Sequence, residues 1–417
     1  MKIQLVNQPL SIFDQFKDVF VEKNFRILFS ARFISNIGNG IGPIALAFGV
    51  LDLPGGNATS LSLVMFARTL PLILLVLFGG VIADRYGRAR LVGSTDIILS
   101  FVVLFEAFLF ITGQATVALL VGLGIVTGIL HALWWPAFPG IMPQVLPESK
   151  LQSANSVNGF GVNGANVLGY SLGGILVVLL GPGLAIAIDG LSFLVAGILI
   201  WQLRKFDKPG DIDKQQPVFK EMKDGWKEVR IRPWILACVS AYSLVIMCYE
   251  PLLAVVGPYH AKVELAGAPS WAIIAGAHSL GMLCGVILAM RLRPKHPLFI
   301  GMLGTLVFAF WPLATALNLP IFVIALTAFA TGVGFDLFFV FWITSLQTHI
   351  PKESLSRVVS YDAFGSFFLG PLGLVIAGPL VELIGIKETL LISSIMVIVA
   401  VSAGLSVKSV RTLQPVR

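Results

Sequence analysis

Charged residues inside long apolar stretches are the first feature of this sequence that could do chemistry. Nine lie in stretches long enough to cross a bilayer: Asp96, Glu106, Asp189, Glu250, Asp336, Asp362, Glu382, Arg32 and Arg68. A charge at that depth is costly and usually faces a cavity, where it binds a proton, an ion or an opposite charge. Glu106 and Asp336 each stand near the middle of an apolar run between aromatic residues, and Glu250 precedes Pro251. These three are our candidates for proton or cation binding.

An ion pair is the alternative for each of these acids. Arg32, Arg68 and Asp189 are the candidates for pairs within the apolar stretches, and Arg68 lies at the same depth as Glu106 and Asp189. We therefore expect Arg68 to pair with one of those two carboxylates. Asp96, Asp362 and Glu382 lie near the ends of their stretches, where solvation or helix packing is the ordinary role.

A polar stripe and several tryptophans are candidates for contact with a small molecule. Residues Asn155, Asn158, Asn163 and Asn166 fall within about 140° of one another on a helix. Such a stripe either binds polar groups in a cavity or hydrogen-bonds a neighbouring helix. Trp134, Trp135 and Trp342 offer apolar or stacking surface, although helix packing explains them equally well.

The composition places these residues on membrane-spanning helices. Of 417 residues, 56% are hydrophobic and only 12% are charged, and the mean hydropathy is +0.89. A soluble domain is about 25% charged. The net charge of +7 fits basic loops at a membrane rather than nucleic-acid binding. The sequence shows no nucleophile–base pair and no metal-ligand spacing, so we expect no enzyme, no catalytic residue, no metal and no cofactor.

Hydropathy and turn residues predict twelve spans in two groups of six. They cover residues 26–51, 60–83, 91–112, 116–140, 154–180, 183–203, 233–258, 269–290, 298–317, 320–346, 358–383 and 388–408. The predicted organisation is an amphipathic N-terminal segment (1–25), a first bundle (26–203), a central loop (204–232), a second bundle (233–408) and a tail (409–417).

The basic residues orient this arrangement. With both termini in the cytoplasm, 25 Lys and Arg residues fall in cytoplasmic segments, while Lys262 and Lys387 fall outside. That asymmetry follows the positive-inside rule. It predicts a multi-pass protein of the cell (inner or plasma) membrane, with both termini and the central loop in the cytoplasm.

An internal repeat relates the two halves. Shifting the chain by 204 residues aligns Pro147–Gly181 with Pro351–Gly385, and twelve of 35 positions are identical. Both segments run in the same direction across the membrane. The halves are therefore predicted to be parallel repeats about an axis along the membrane normal.

The loop after the second span carries a specific motif. It reads Gly80-Val-Ile-Ala-Asp84-Arg85-Tyr-Gly87-Arg88-Ala-Arg90. This resembles the signature loop of the major facilitator superfamily, which implies an all-helical fold of two six-helix bundles. The resemblance also implies a cytoplasmic gate in which Gly80, Asp84, Arg85, Gly87, Arg88 and Arg90 latch against the start of the eleventh span. The matching loop of the second half, Gly285 to Pro294, keeps basic residues but has no acid.

Further motifs narrow the resemblance. The segments Leu146–Asn155, Asp189–Phe193 and Gln347–Pro351 look like those of the enterobactin-exporter and macrolide-efflux branch. That branch implies export of drugs, antibiotics or siderophores in exchange for protons. Two departures weaken the implication: Tyr170 stands where antiporters have proline, and Asn39 stands where many relatives have an acid in the first span. Asn39 then becomes a candidate for the substrate cavity.

We therefore expect a monomeric, proton-coupled exporter of a small amphipathic compound, with protons and membrane lipids as its other partners and no nucleic acid. Three alternatives stay open: a lipid or lysolipid transporter, an importer or uncoupled carrier, and a non-transporting receptor or scaffold.

Overall fold

The computed structural model describes residues 12–207 and 226–414. Within these ranges it leaves out the side chains of residues 12–15, 77, 80, 81, 84, 352, 353, 356 and 357. In the described part, eleven helical segments are long and apolar enough to cross a membrane. One of them, Glu148–Phe206, contains two spans because the chain reverses within it at Gly181. The fold is therefore the predicted set of twelve membrane helices.

We number these helices as spans 1 to 12. Spans 1 to 4 are Lys23–Leu51, Ala58–Tyr86, Arg88–Ile111 and Val117–Ala137, and spans 5 and 6 are the two parts of Leu151–Trp201. Span 7 is Pro233–Pro251, continued by Leu252–Val256 and Gly257–Glu264, and span 8 is Ala268–Arg291. Span 9 is Pro297–Thr305 with Leu306–Ala309 and Phe310–Ala316, and span 10 is Ile321–His349. Span 11 is Lys352–Phe367 with Gly370–Ile384, and span 12 is Ile386–Ser406.

Shorter helical pieces lie at one end of this bundle, which we call the termini end. They are Ile12–Phe20, Phe138–Gly140, Met142–Val145, Glu148–Lys150, Gln202–Phe206 and Lys408–Thr412. The turns between spans 1 and 2, 3 and 4, and 5 and 6 lie at the opposite end. Side-chain caps start two helices there: Asn57 Oδ1 accepts the Ser60 N–H at 2.8 Å, and Thr116 Oγ1 accepts the Leu119 N–H at 3.3 Å.

Packing within each half pairs the spans in the same way. In the first half, span 1 packs on spans 5 and 6, and span 2 packs on span 4. In the second half, span 8 packs on span 10, and span 7 packs on spans 11 and 12. Small residues permit close crossings, since a Cβ on Gly40 would lie 2.7 Å from the Gly169 backbone.

The sequence repeat reappears as structural pseudo-symmetry. Gly181 and Gly385 both turn the chain with φ values of 81° and 97°, which an L side chain rarely adopts. Gly174 packs on Ala268 and Ala272, the first and fifth residues of span 8. Its repeat partner Gly378 packs on the first and fifth residues of span 2. Equivalent glycines thus join each half to the other.

Candidate functional site

Seven polar side chains from six spans line one cavity of about 250 Å³, which we call the carboxylate cavity. They are Asn39, Arg68, Thr69, Glu106, His131, Asp189 and Glu250. Six come from the first half and Glu250 comes from span 7 of the second half. The cavity therefore lies at the junction of the two halves, where a relative movement of the halves changes its shape.

Three carboxylates share this cavity with one arginine. Arg68 Nη1 lies 3.9 Å from Glu106 Oε2, and the Glu106 side chain is only 3% exposed. Asp189 is 5% exposed, and its Oδ1 atom has no hydrogen-bond partner. A buried polar oxygen left unpaired costs free energy until it meets a donor. Arg68 compensates one of these three negative charges.

The backbone of span 1 makes room for Asp189. A Cβ on Gly38 would lie 2.5 Å from Asp189 Oδ1, and a Cβ on Gly42 would lie 2.2 Å from Asp189 Oδ2. Both distances are too short for any side chain. The carboxylate of span 6 therefore lies directly against the backbone of span 1.

A second cavity of about 290 Å³ continues toward the termini end, and we call it the arginine cavity. It shares Asn39, His131 and Phe193 with the carboxylate cavity, and it adds Arg32, Leu72, Asp96, Trp134 and Trp135. The Arg32 guanidinium carbon lies 4.5 Å from the Trp134 ring centre and 4.4 Å from that of Phe138. Such contacts hold the cation through the faces of both rings. Asp96 faces the same cavity and is 3% exposed, so solvation, one of the two roles expected near a span end, does not apply to it.

A third cavity of about 210 Å³ is lined mainly by aromatic residues of the second half, and we call it the aromatic cavity. Its walls include Tyr242, Phe335, Phe338 and Trp342, and it shares Trp135 with the arginine cavity. Trp342 Nε1 donates to Asp362 Oδ2 at 2.8 Å, and Ser366 Oγ donates to Asp362 Oδ1 at 2.9 Å. Shared residues thus connect a charged wall in one half to an apolar wall in the other.

Some candidate residues lie away from this path. Asp336 is 8% exposed and contacts span 8, where a Cβ on Gly285 would lie 3.2 Å from its own Cβ. It lines none of the three cavities. Glu106 lies five residues from the end of span 3, not near its middle. Its neighbours Phe105 and Phe108 are about half exposed on another face of the helix, so they do not enclose the carboxyl.

The asparagine stripe of span 5 also lies outside the three cavities. Asn155 is exposed, while Asn158, Asn163 and Asn166 are partly buried. Gly159 lies within the same stripe, and a Cβ there would meet nothing within 4 Å. The stripe therefore faces open space at the termini end of span 5, and its role in binding stays a prediction.

The signature loop is held by an acid that the sequence motifs do not indicate. Asp207, just after span 6, accepts the Ala89 N–H at 2.8 Å and the Arg90 N–H at 2.9 Å. It thereby caps the start of span 3 and contacts Gly87. Arg88 packs against Gly140. Arg85 is exposed, whereas Gly80 and the side chains of Asp84 and Ser356 lie outside the described set, so the latch stays a prediction.

In the described part of the chain, several polar contacts join the halves at the opposite end. Lys262 Nζ lies 2.6 Å from Asp52 Oδ1. Glu382 Oε1 accepts the Thr59 N–H at 3.1 Å, and Ser62 Oγ accepts the Gly378 N–H at 2.7 Å. Glu382 therefore bridges the halves. These contacts, together with the glycine packing of Gly174 and Gly378, close that end.

Comparison with known proteins assigns the family. Residues 18–414 match the family described as transmembrane secretion effector. The chain belongs to this family of major facilitator transporters. The multidrug efflux pump Tap of Mycobacterium tuberculosis is 25% identical over 408 residues, which is 93% of this chain and 94% of that protein. The staphyloferrin A transporter of Staphylococcus aureus is 29% identical over 199 residues, 46% of this chain and 49% of that protein.

Solved structures show the same fold. A bacterial homologue of the human lysosomal transporter Spinster, in an inward-facing and unoccupied conformation, has a TM-score of 0.70 at 14% identity. That likeness covers 94% of this chain and 97% of the other. A POT family transporter in complex with 5-aminolevulinic acid has a TM-score of 0.72 at 12% identity, covering 91% and 95%. By its family, the protein is a multi-pass membrane transporter of small molecules and not an enzyme.

Proposed function

We propose that this transporter exports a small amphipathic compound in exchange for protons. The observation that carries the proposal is the row of three adjoining cavities, with charged side chains mainly on the first half and aromatic side chains mainly on the second. An amphipathic compound matches both walls, because its polar group meets Asn39 and the carboxylates while its apolar body meets Tyr242 and Trp342. The name of the relative Tap supports export.

Proton exchange is supported by the charge balance of the carboxylate cavity. Glu106 is beside Arg68, whereas no cation lies within 4 Å of Asp189 or Glu250 among the described residues. A buried carboxylate without a cation is stable when it carries a proton or meets a charged ligand. Entry of a substrate then displaces protons, and their return resets the cavity. In this proposal Glu106, Glu250 and Asp189 carry the exchanged protons.

The arrangement of the halves supports alternating access. The contacts at the opposite end are closed, and the three cavities extend from the carboxylates toward the termini end. With the termini in the cytoplasm, as the basic residues indicate, this conformation faces inward. Rocking of the halves would open the contacts of Lys262 and Glu382 and bring the signature loop against span 11. Asp84 and Arg88 would then stabilise the closed cytoplasmic gate.

The experiment is substrate-dependent proton movement in liposomes that contain the purified transporter. A panel of amphipathic drugs and siderophores is added, and proton release is recorded for the wild type, Glu250→Gln and Glu106→Gln. Glu388→Gln is the matched control, because Glu388 is exposed and lies at the start of span 12. We expect a compound-dependent signal that both cavity variants abolish and the control retains. Full retention of pH-driven export in both cavity variants would exclude the proposed coupling.

A further inference from the structure

A fourth cavity lies outside the transport path, at the termini end of spans 8 and 10. It has a volume of about 350 Å³, and its walls include Met290, Leu292, Arg293, Val340, Phe341 and Thr344. We call it the basic groove. The loop between spans 8 and 9, which matches the signature loop of the first half, forms one of its sides.

The groove is on the outer side of span 10. Phe335, Phe338 and Trp342 of this helix face the aromatic cavity. At 100° per residue, Val340 and Thr344 are about 140° and 180° from Phe335 around the helix. The groove therefore faces away from the path between the halves, toward the surface that a membrane protein presents to lipid.

The described residues at the loop beside the groove carry a positive charge. Arg291, Arg293 and Lys295 are all exposed, and in the described part of the chain none of them has a carboxylate within 4 Å. The sequence contains no Asp or Glu between Glu264 and Asp336. The first half differs at the equivalent place, since a carboxylate caps the helix start there. Among the described residues no carboxylate balances the second loop, so this loop can bind an anion from outside the protein.

The walls of the groove are partly apolar, so a ligand that fits it needs an apolar part as well as a negative charge. Met290 is 74% exposed and Leu292 is 41% exposed, beside the arginine at the membrane boundary. We propose that the basic groove binds one anionic phospholipid. Its phosphate meets Arg293 and Lys295, and an acyl chain lies along Met290, Leu292 and Val340. Basic pockets between membrane helices are known to suit such head groups. This inference does not depend on the transported substrate.

The test is native mass spectrometry of the purified full-length transporter in detergent with phosphatidylglycerol or phosphatidylcholine. We expect the first phosphatidylglycerol to bind more tightly than phosphatidylcholine. Arg293→Gln/Lys295→Gln should weaken that binding by about 25-fold, or about fivefold for each charge removed. Arg26→Gln/Lys408→Gln is the matched control, because both residues are exposed basic residues near the same end of the bundle, and it should bind as the wild type does.

A second variant tests the groove without changing charge. Thr344→Trp fills the space between the walls and should also abolish binding of the first phosphatidylglycerol. The proposal would be overturned if the wild type bound phosphatidylglycerol and phosphatidylcholine equally well. It would also be overturned if the control variant Arg26→Gln/Lys408→Gln lost as much phosphatidylglycerol binding as Arg293→Gln/Lys295→Gln. Displacement of the lipid by glycerol phosphate, which has no acyl chain, would show a free-anion site instead and would also overturn it.

Discussion

The Arg68–Glu106 pair makes a quantitative prediction about the carboxylate cavity. Two unit charges about 4 Å apart interact by about 4 kcal/mol at the effective dielectric constant of a protein surface region. Glu106 is 3% exposed, but the Arg68 side chain is 23% exposed, so water screens part of this energy. We expect a coupling free energy of about 2–4 kcal/mol between the two side chains.

The perturbation is a double-mutant cycle. Arg68→Met removes the cation and leaves three carboxylates in one cavity, which should lower the free energy of unfolding by about 3–5 kcal/mol. Adding Glu106→Gln to Arg68→Met should recover most of that loss, because the buried charge next to the removed cation disappears with it. Denaturant unfolding in detergent, followed by tryptophan fluorescence, measures the four free energies.

The result that would refute this reasoning is additivity. If the two single changes sum to the double change, then Arg68 and Glu106 do not interact across the 3.9 Å contact. A control cycle pairs Glu106→Gln with the exposed Lys408→Gln and should be additive. Additivity there shows that a coupling measured for Arg68 and Glu106 is specific to that pair.

Three further predictions concern contacts outside the carboxylate cavity. Asp207→Ala removes two cap hydrogen bonds and should lower the free energy of unfolding by about 1–2 kcal/mol. Proteolysis of the loop after span 2 should become faster, whereas Asp207→Asn should retain part of the cap. Lys262→Glu places two acids together at the opposite end and should increase labelling of a cysteine introduced there; the added change Asp52→Lys should reverse this increase. Gly378→Leu should prevent closure of the opposite end and abolish transport, because its backbone lies against span 2; wild-type transport rates in that variant would contradict the closed contact described above.

Much of the fold could be predicted because hydropathy and loop charge can be read from each segment alone, without knowing what the segment contacts. The twelve spans and their two-fold repeat are confirmed, and most predicted boundaries lie within about four residues of the helix ends. The equivalence of Gly174 and Gly378 shows why the repeat was visible, since a position that must approach another backbone keeps glycine in both halves.

The cavity was harder to predict because it depends on how each helix is rotated. Sequence indicated that Glu106 was buried and that Arg68 was a partner, yet the aromatic flanks that drew attention to Glu106 face elsewhere. Asp336 has the same flanks but lies against span 8. Asp207 and Lys262 contact residues more than 100 positions away in sequence, and no local pattern marks them.

The turn at Gly181 also has a mechanical consequence. Spans 5 and 6 meet there with no connecting loop, so the two helices cannot slide independently. Gly174, which rests on span 8, is seven residues before the turn, and Asp189 is eight residues after it. These separations correspond to about 10 and 12 Å along the helices. When the second half moves against Gly174, spans 5 and 6 therefore move together. The movement reaches the Asp189 carboxylate, which lies against span 1.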